Sequence, residues 1–569
     1  MSHHTIKPNF VKLTRRFSAL AVSLCWITSH AFAVTPPDAG QTLQQLQAPS
    51  APVALTNPAT TLSNEAVNDA QGNSVGGDVR VPVTKLRFRG NTVYDSAFLS
   101  RIVGKLGKDL SLNDLRAVTH RISQYYRQHG YLLARAYLPE QDISSGTVTI
   151  AILEGRLDHI TVNNQSILST KQLQALLDTQ QPSNQPVRSD YANRGLLLTQ
   201  ALPGVGMVQG RLHPSATIGS TDLTVDVTAG PRATGYVGLD NYGNRFTGAD
   251  RLNAGVDLNN LLGIGDQLSA QGVLTNQDHM DYGRVAWDAP IANQGVRLGA
   301  AFSNLRYQLG EDFASLDAYG VARTASLYSS LMLIATPDTH MNLNLSLEHR
   351  ELTDVTGAIA LDNKRSLNAA VLTMSGDFKD SLLFSPAVNA WRLTNTAGQL
   401  DLNSATVSAI DHVTAQTAGH YDKVVFSVTR EQVLPANFSL YLSGTAQRSD
   451  RNLDSSEQMS LGGPNGIRAY PEGEATGDQG WLGSVELRYH VMPNLQLLGF
   501  YDAGGIEANR YPYIEGKNNT HLSGSGVGAN FNWKAFSLKT TVAWRGDSAP
   551  PTSDTDRRPR IWVQGSYAF

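Results

Sequence analysis

The stretch Met341–Glu348 has the sequence MNLNLSLE, in which apolar and polar residues alternate. Successive side chains of a β-strand point to opposite faces, so this pattern predicts a strand with one apolar and one polar face. The same alternation recurs in Leu252–Asn259, Phe438–Ser443 and Val485–Tyr489. Alternating runs separated by Gly, Asn and Asp turns are typical of a membrane-spanning β-barrel.

The alternating pattern continues through residues 232–569 and predicts a mainly β fold, an antiparallel barrel of about sixteen strands at roughly 20 residues per strand and connection. A soluble β-sandwich also alternates. Two features favour the barrel. Asn, Asp, Glu and Arg occur deep within the polar face, as a water-filled lumen requires, and the region continues without the second buried layer of a sandwich.

The composition agrees with many short strands and turns, because 50 of the 569 residues are glycine and Tyr, with 20 residues, outnumbers Phe and Trp. Such tyrosines also suit the aromatic girdles of a membrane barrel. Only 17% of the residues are charged and the net charge is −3. Since there is no basic stripe or Lys/Arg run, the sequence predicts no nucleic-acid partner.

Residues 1–33 predict a secretory signal peptide, with a basic start, an apolar core at Ala19–Ile27 and cleavage between Ala33 and Val34. A single membrane anchor is the alternative, but the core is well short of the ~20 residues that a spanning helix needs. The one cysteine, Cys25, lies inside this segment, so the mature chain is predicted to contain no thiol.

Residues 34–80 are rich in Pro, Ala, Gln, Thr and Asn. Within them, Asp38–Gln47 (DAGQTLQQLQ) predicts a short polar helix, with a disordered tail as the alternative. Ala48–Gly77 predicts a flexible linker.

Residues 81–156 and 157–231 predict two small α/β modules, each with strands around amphipathic helices. In the first module, Ser111 and Asp114 have the spacing of a helix capping box. Apolar residues then recur at helical spacing at Leu115, Val118, Ile122 and Tyr125.

This order of segments resembles the TpsB transporters of two-partner secretion, the family of hemolysin and filamentous-adhesin exporters, which shares a superfamily with the barrel-assembly protein BamA. The resemblance covers nearly the whole mature chain. The modules resemble POTRA domains, with Leu86–Asp95 (LRFRGNTVYD) as the opening strand and turn of the first. Asp240–Leu252 (DNYGNRFTGADRL) resembles the first barrel hairpin.

The most specific segment is Leu461–Trp481, LGGPNGIRAYPEGEATGDQGW. It resembles the family's sixth extracellular loop, which folds back into the lumen and carries a Val-Arg-Gly-Tyr type tip. The matching tip residues are Gly466, Ile467, Arg468 and Tyr470. Ala469 departs from the pattern, because the wider superfamily often has Gly there.

The stretch GFYDAGGI resembles the family's Phe-x-Asp strand motif, which implies that Phe500, Asp502 and Gly504 lie on the wall opposite that tip. Arginine is permanently charged and offers a planar fork to a carboxylate. We therefore predict that Arg468 contacts Asp502. The alternative is that both are ordinary lumen charges facing water.

Other chemistry is not supported. The chain has no HExxH, GxSxG or Walker motif, so we predict no enzyme activity and no catalytic residue, cofactor or metal site.

The resemblance implies an outer-membrane pore with periplasmic POTRA domains that recognises and exports a large, unfolded partner protein of the hemolysin, adhesin or hemophore kind, without nucleotide hydrolysis. It also implies a helix at Asp38–Gln47 that plugs the lumen. The terminal Phe569 is predicted to be an assembly signal for the barrel-assembly machinery. A BamA-like assembly factor is the alternative function.

Overall fold

The fold is described from a computed structural model that covers residues 36–47, 61–64 and 80–569, apart from residues 106, 218 and 548. The predicted signal peptide, with Ala33 and Val34, lies outside the described residues. None of the helices in the described ranges is long and apolar enough to cross a membrane. The α-helices are α1 (Ala39–Gln47), α2 (Ser96–Val103), α3 (Leu112–Gln128), α4 (Thr170–Gln180), α5 (Ser189–Gln200) and α6 (Ala405–Val413).

The first α/β module packs α2 and α3 against a three-stranded sheet. Its strands are β2 (Arg80–Pro82), β3 (Lys85–Arg89), β4 (Asp109–Ser111), β5 (Arg135–Tyr137) and β6 (Thr147–Leu153). The sheet order is β3-β6-β5, with β2 and β4 forming a separate pair. The buried face of α3 includes Tyr126, whereas Tyr125, which the sequence placed on that face, is only half-buried.

The predicted capping box at the start of α3 is present. The Ser111 hydroxyl accepts a hydrogen bond from the Asp114 backbone N–H at 3.1 Å, and the Asp114 carboxylate accepts one from the Ser111 N–H at 2.9 Å. The hydrogen bond from the Ser111 backbone, and to a smaller extent the one from its hydroxyl, holds the pKa of the Asp114 carboxyl below its usual value. The start of α3 is therefore fixed by local sequence.

The second module has a four-stranded sheet with α4 and α5 on one side. Its strands are β1 (Thr61–Asn64), β7 (Arg156–Asn164), β8 (Val205–Pro214) and β9 (Ser220–Ala229). The sheet order is β1-β8-β9-β7. Strand β1 was not expected, because it comes from the segment predicted to be a flexible linker. Leu62 packs against the core of this module and explains the difference.

The C-terminal region is a closed barrel of sixteen strands, each bonded to its neighbours in sequence order and closed by the pairing of the first with the last. Two further short strands, β21 (Met459–Ser460) and β22 (Thr476–Gly477), pair within one loop. The barrel strands are β10 (Ala233–Asp240), β11 (Arg251–Asn259), β12 (Gln267–Thr275), β13 (Met280–Ala292), β14 (Val296–Gln308), β15 (Ala318–Ala335), β16 (Thr339–Thr356), β17 (Leu361–Asp380), β18 (Ala387–Leu402), β19 (Gly419–Val433), β20 (Phe438–Ser449), β23 (Gln479–Met492), β24 (Leu495–Glu507), β25 (Asn519–Trp533), β26 (Phe536–Arg545) and β27 (Arg560–Ala568).

The alternation that predicted strands separates the two faces of the barrel. In β16, Leu345 and Leu347 are exposed on the outer face, whereas Glu348 and Arg350 point into the lumen and pair there. An apolar outer face is stable in contact with lipid, and polar residues that point inward favour a hydrated lumen. The predicted fold class is confirmed.

The second module is attached to the end of the barrel where β10 begins. Arg194 of α5 donates hydrogen bonds to the carbonyls of Met332 and Leu333, near the end of β15. Gln180 of α4 donates to the carbonyl of Asn293, in the turn after β13. This end of the barrel therefore contacts the second module, and the longer loops lie at the other end.

Ser111→Ala removes the cap of α3, so we expect the first turn of that helix to lose about 1 kcal/mol of stability. The measurement is amide hydrogen exchange of Leu112–Leu115 in the full-length protein. Asn113→Ala, an exposed change in the same turn, is the matched control. Equal exchange in the two variants would contradict the cap.

The same capping box makes α3 sensitive to acid. Because the pKa of Asp114 is lower in the folded protein than in the unfolded chain, its contribution is present above the ordinary aspartate range and is lost as the pH falls through the depressed value. We expect the exchange difference between wild type and Asp114→Asn to be large at neutral pH and to vanish in strong acid.

Candidate functional site

Two segments occupy the barrel lumen. One is α1 with the preceding Asp38, which contacts β14, β15 and β16. The other is the long loop of residues 450–478 between β20 and β23, which turns inward and packs against the barrel wall. A third feature of the lumen is a cavity of about 430 Å³, lined by Gln44 and Gln45 of α1 together with wall and loop residues. The lumen is therefore obstructed by polar segments that are not part of the wall.

Asp38, the residue before helix α1, both caps the helix and anchors it in the lumen. The Asp38 carboxylate accepts a hydrogen bond from the Gln41 backbone N–H at 2.8 Å and so caps the helix. The same carboxylate lies 2.9 Å from Nη2 of Arg365 on β17 and accepts hydrogen bonds from the Ser455 hydroxyl of the long loop. One side chain thus links the helix, the wall and the loop.

Arg365 is the centre of this contact. Its guanidinium Nη1 lies 2.7 Å from the carboxylate of Asp354 on β16, and its Nε lies 2.7 Å from that of Asp454 in the loop. Asp38 is the third carboxylate. The Arg365 side chain is buried, so its positive charge must be compensated by these partners. Three carboxyl groups therefore share one guanidinium.

Apolar packing supports the charged contact. Leu43 of α1 is 1% exposed and belongs to a cluster inside the barrel that includes Leu305 and Leu352. Gly40 approaches the loop closely: a Cβ at that position would lie 2.5 Å from the Ser455 hydroxyl oxygen and 2.7 Å from the Ser456 nitrogen. Only glycine permits this distance without a shift.

The tip of the long loop is a compact turn. The Ile467 N–H donates to the Leu461 carbonyl at 2.7 Å, and the Tyr470 N–H donates to the Ile467 carbonyl at 3.0 Å. A Cβ on Gly466 would lie 2.1 Å from the Leu461 carbonyl oxygen. The tip therefore requires glycine at that position, and Ile467 and Tyr470 are buried against the wall.

Arg468 projects from the tip into a polar niche in the wall. Its Nη2 lies 2.7 Å from Asp502 Oδ1 and its Nε lies 2.9 Å from Asp502 Oδ2, which is the bidentate geometry of strong arginine–carboxylate pairs. Nη1 donates to Glu486 at 2.7 Å and Nη2 donates to Ser484 at 3.0 Å. The guanidinium carbon lies 3.4 Å above the centre of the Phe500 ring.

Small residues in the wall make room for the tip. A Cβ on Gly504 would lie 3.3 Å from Ile467 Cδ1. A Cβ on Gly524 of β25 would lie 2.4 Å from the Ala469 methyl group. The alanine at 469, where the sequence departs from the superfamily pattern, is thus accommodated by a glycine opposite it.

The base of the loop has its own buried contact. Glu457, in the 3₁₀ turn Ser455–Glu457, pairs with Arg350 of β16 and Lys423 of β19. Because Glu457 is 2% exposed, breaking these pairs strands a buried charge. The loop is therefore fixed to the wall at two places, its base and its tip.

The barrel closes where β10 pairs with β27 over a short register from Tyr236–Ala568 to Asp240–Gln564. Phe569 follows β27, and its backbone N–H and carbonyl both bond to Gly235 at 2.9 Å. Its ring lies over that glycine, where a Cβ would approach it to 2.6 Å. The C-terminal residue thus takes part in the seam.

The structure brings together the two sets of residues that the sequence singled out: the tip residues Gly466, Ile467, Arg468 and Tyr470, and the wall residues Phe500, Asp502 and Gly504. Sequence reasoning missed Arg365, Asp354 and Asp454. Only Asp38, the first residue of the predicted helix Asp38–Gln47, gave any signal, because the other members of the cluster come from distant strands and a loop.

The sequence of this chain is similar to those of known outer-membrane transporters. A family model described as the haemolysin secretion/activation protein ShlB/FhaC/HecB matches residues 219–531, and one described as the POTRA domain, ShlB-type, matches residues 81–155. The heme/hemopexin transporter protein HuxB of Haemophilus influenzae strain 86-028NP is 29% identical over 98% of this chain and 100% of its own. The outer membrane transporter CdiB of Dickeya dadantii is 24% identical over 81% of this chain and 82% of its own.

Solved structures show the same fold. CdiB from Escherichia coli superposes with a TM-score of 0.74 at 20% identity, over 95% of this chain and 100% of its own. BamA from Haemophilus ducreyi lacking POTRA domains 1–3 gives 0.50 at 13% identity, over 86% of this chain and 100% of its own. The latter likeness is weaker.

The fold and the occupied lumen define an outer-membrane β-barrel transporter with POTRA domains in the periplasm. The chain belongs to the haemolysin secretion/activation family, whose model covers more than half of it. It is a translocation pore of two-partner secretion, and it exports a large partner protein across the outer membrane. The BamA-like alternative is less well supported.

Arg468→Ala leaves the buried carboxylate of Asp502 without its cation, so we expect the tip to detach at a cost of about 3–5 kcal/mol and secretion to fall sharply. Asp502→Ala should cost less, because Glu486 still holds the guanidinium. The double variant should be less than additive, and Arg468→Lys should rescue only in part. The measurement is secreted partner protein, normalised to the amount of folded barrel.

Arg488→Ala is the matched control for this series, since Arg488 also pairs with Glu486 but its ion pairs are all with wall residues. Wild-type secretion by both alanine singles, or strictly additive defects, would show that the contact does not hold the loop.

Proposed function

We propose that the pore is kept shut by α1 and the long loop together, and that export begins when α1 leaves the lumen. The observation that carries this proposal is the Arg365 contact. It joins Asp38 of the helix, Asp454 of the loop and Asp354 of the wall at one guanidinium. Such a polar contact can be exchanged for water when the helix moves, whereas a fully apolar plug would resist hydration.

The Arg468–Asp502 contact has a separate role in this proposal. It positions the loop on the wall whether or not α1 is present, since none of its partners belongs to the helix. The helix is then the removable element, and the loop is the guide along which the partner protein passes.

The periplasmic modules receive the partner protein in unfolded form. Two strand edges of the first module, β3 and β5, are unpaired within the described residues, and Tyr137 of β5 is exposed. Backbone hydrogen bonds to such an edge are nearly independent of sequence, which suits an extended client. In this proposal residues 81–156 and 157–231 act as POTRA 1 and POTRA 2, ahead of the barrel at 232–569.

The partner is proposed to be a large exoprotein of the hemolysin, adhesin or hemophore kind, in line with the heme/hemopexin transporter among the relatives. The pore works without nucleotide hydrolysis and without catalysis or a cofactor, and folding of the partner outside the cell gives export its direction. The chain itself enters the periplasm through its signal peptide, cleaved between Ala33 and Val34, and Phe569 directs its insertion into outer-membrane lipid by the barrel-assembly machinery.

Arg365→Ala leaves the carboxylates of Asp38, Asp354 and Asp454 to repel one another, so we expect α1 to leave the lumen more often and mean single-channel conductance to rise. Deletion of residues 34–60 should give the upper limit of that rise. Conductance is measured with purified protein in planar bilayers.

Lys364→Ala controls for the loss of a neighbouring positive charge, because Lys364 is exposed and pairs only with Asp362 among the described residues. If the deletion leaves conductance at the wild-type value, α1 is not a plug. If the deletion raises it and Arg365→Ala does not, the Arg365 contact is not what retains the helix.

Deletion of residues 82–156 should abolish secretion while leaving a heat-modifiable barrel in the outer membrane, because the core of the first module is separate from that of the barrel. Normal secretion by this variant would exclude the first module from recognition of the partner protein.

A further inference from the structure

A shallow groove crosses the outer face of the barrel from β14 to β19. Its volume is about 940 Å³, within the range of ligand-binding clefts. The apolar part of its lining consists of outward side chains, all of them exposed: Ala300, Ala325, Leu327, Leu347, Ala370 and Ala397. Because these side chains lie on the outer face of a membrane barrel, the groove opens toward lipid.

A row of polar side chains crosses the groove at one level. His349 of β16 lies opposite Asn368 of β17. Asn368 lies opposite Gln399 of β18, which in turn lies opposite His420 of β19. All four residues line the groove. Neighbouring strands are about 4.8 Å apart, so the row is roughly 14 Å long.

The polar row lies at the extracellular limit of the apolar surface. On β16, the exposed outward residues Leu345 and Leu347 precede His349. Gln399 and His420 lie beside the loop that carries α6, at the end of the barrel away from the second module. The row is therefore at the level of the headgroups of the outer leaflet.

Elsewhere the same boundary of the wall carries large aromatic side chains. Trp481 of β23 and Trp544 of β26 are exposed near the extracellular ends of their strands. Such aromatic girdles are the usual boundary of a membrane barrel. In the groove, alanine, imidazole and amide groups take their place, so this sector of the wall offers space and hydrogen bonds.

Polar groups in and above the row are available to a ligand. His420 has no side-chain hydrogen bond or ion pair within the described residues. Nδ1 of His349 lies 2.8 Å from Asn368 Oδ1, and the Asn368 amino group is exposed. Arg323, two residues from Ala325 on β15, is exposed and has no ion pair in the described part of the chain. These groups are donors suited to sugar and phosphate oxygens.

Carboxylates also lie beside the row. Glu351 is 3.8 Å from Nε2 of His349, and Asp401 accepts a hydrogen bond from Gln399 at 3.0 Å. Asp422 lines the groove below His420. A bare anion would be repelled by these groups. A lipid whose phosphates carry divalent cations would not, because the cations can bridge phosphate and carboxylate oxygens.

We propose that this groove binds lipopolysaccharide, the phosphorylated glycolipid of the outer leaflet. An acyl chain lies over the alanines, the sugars lie along the polar row, and Arg323 binds a phosphate. The level of the row in the membrane and the unpaired charge of Arg323 favour this lipid over a zwitterionic phospholipid. The site is distinct from the export path, because its residues lie on the outer wall.

The test measures lipid binding to the delipidated full-length protein in detergent by native mass spectrometry. The probe is bisphosphorylated lipid A, and phosphatidylethanolamine is the comparison lipid. Ala370→Leu with Ala397→Leu fills the floor of the groove and keeps the polar row. Ala254→Leu, the same exchange at an exposed outward position of β11, is the matched control.

We expect wild type and Ala254→Leu to bind lipid A equally, and the groove variant to bind it at least about tenfold more weakly, because the added side chains occupy the space of the acyl chain. Arg323→Gln, which leaves the floor intact, should weaken lipid A binding about tenfold and leave phosphatidylethanolamine binding unchanged. Heat-modifiable mobility of every variant checks that the barrel is folded.

Wild-type affinity for lipid A in the groove variant would overturn the site, as would equal affinity of wild type for the two lipids. A protein dimer that the groove variant loses would assign this face to a second copy of the chain and would also overturn the proposal.

Discussion

Lipid offers no hydrogen-bond partner to a peptide group, and this constraint shapes the whole C-terminal region. A sheet can cross a membrane only if every strand has two neighbours, so the first strand, β10, must pair with the last, β27. That closure is shorter than the pairings elsewhere in the barrel, where β16 and β17 match along Thr339–Thr356. Phe569 extends the seam by one further residue through its bonds to Gly235.

Closure creates the lumen, and the lumen explains the charged clusters. Strand alternation that places leucines toward lipid must place Glu348, Arg350 and Asp502 inward. Three arginines then organise the interior. Arg365 holds α1, Arg350 holds the base of the long loop and Arg468 holds its tip. Each of these contacts joins a wall strand to a segment that is not part of the wall.

The second module is connected to the barrel in two ways: by hydrogen bonds at the barrel rim, and by strand β1, which follows α1 in the sequence. The second module bonds to the turn after β13 through Arg194 and Gln180, so its position relative to the pore is set. Strand β1 adds a connection of a different kind, since it links the module's sheet to the segment that carries α1. Helix α1 and strand β1 are therefore near neighbours in sequence, although one lies in the lumen and the other in the second module.

The sequence by itself determined the features that depend on local pattern. The two-residue alternation predicted the barrel strands, and the Ser111–Asp114 spacing predicted the start of α3. The resemblance of two motifs to those of a known family predicted the contact between Arg468 and Asp502. It did not reveal that Thr61–Asn64 is a strand, because a four-residue segment becomes a strand only when β8 offers an edge and the module's core receives Leu62. Nor did it reveal the Arg365 cluster. Asp38, Asp354, Arg365 and Asp454 are far apart in the chain, and their encounter depends on barrel register and on the path of α1 and the loop through the lumen. Ion pairs carry no periodic signature in sequence, so only the tertiary structure decided which carboxylates share the buried guanidinium.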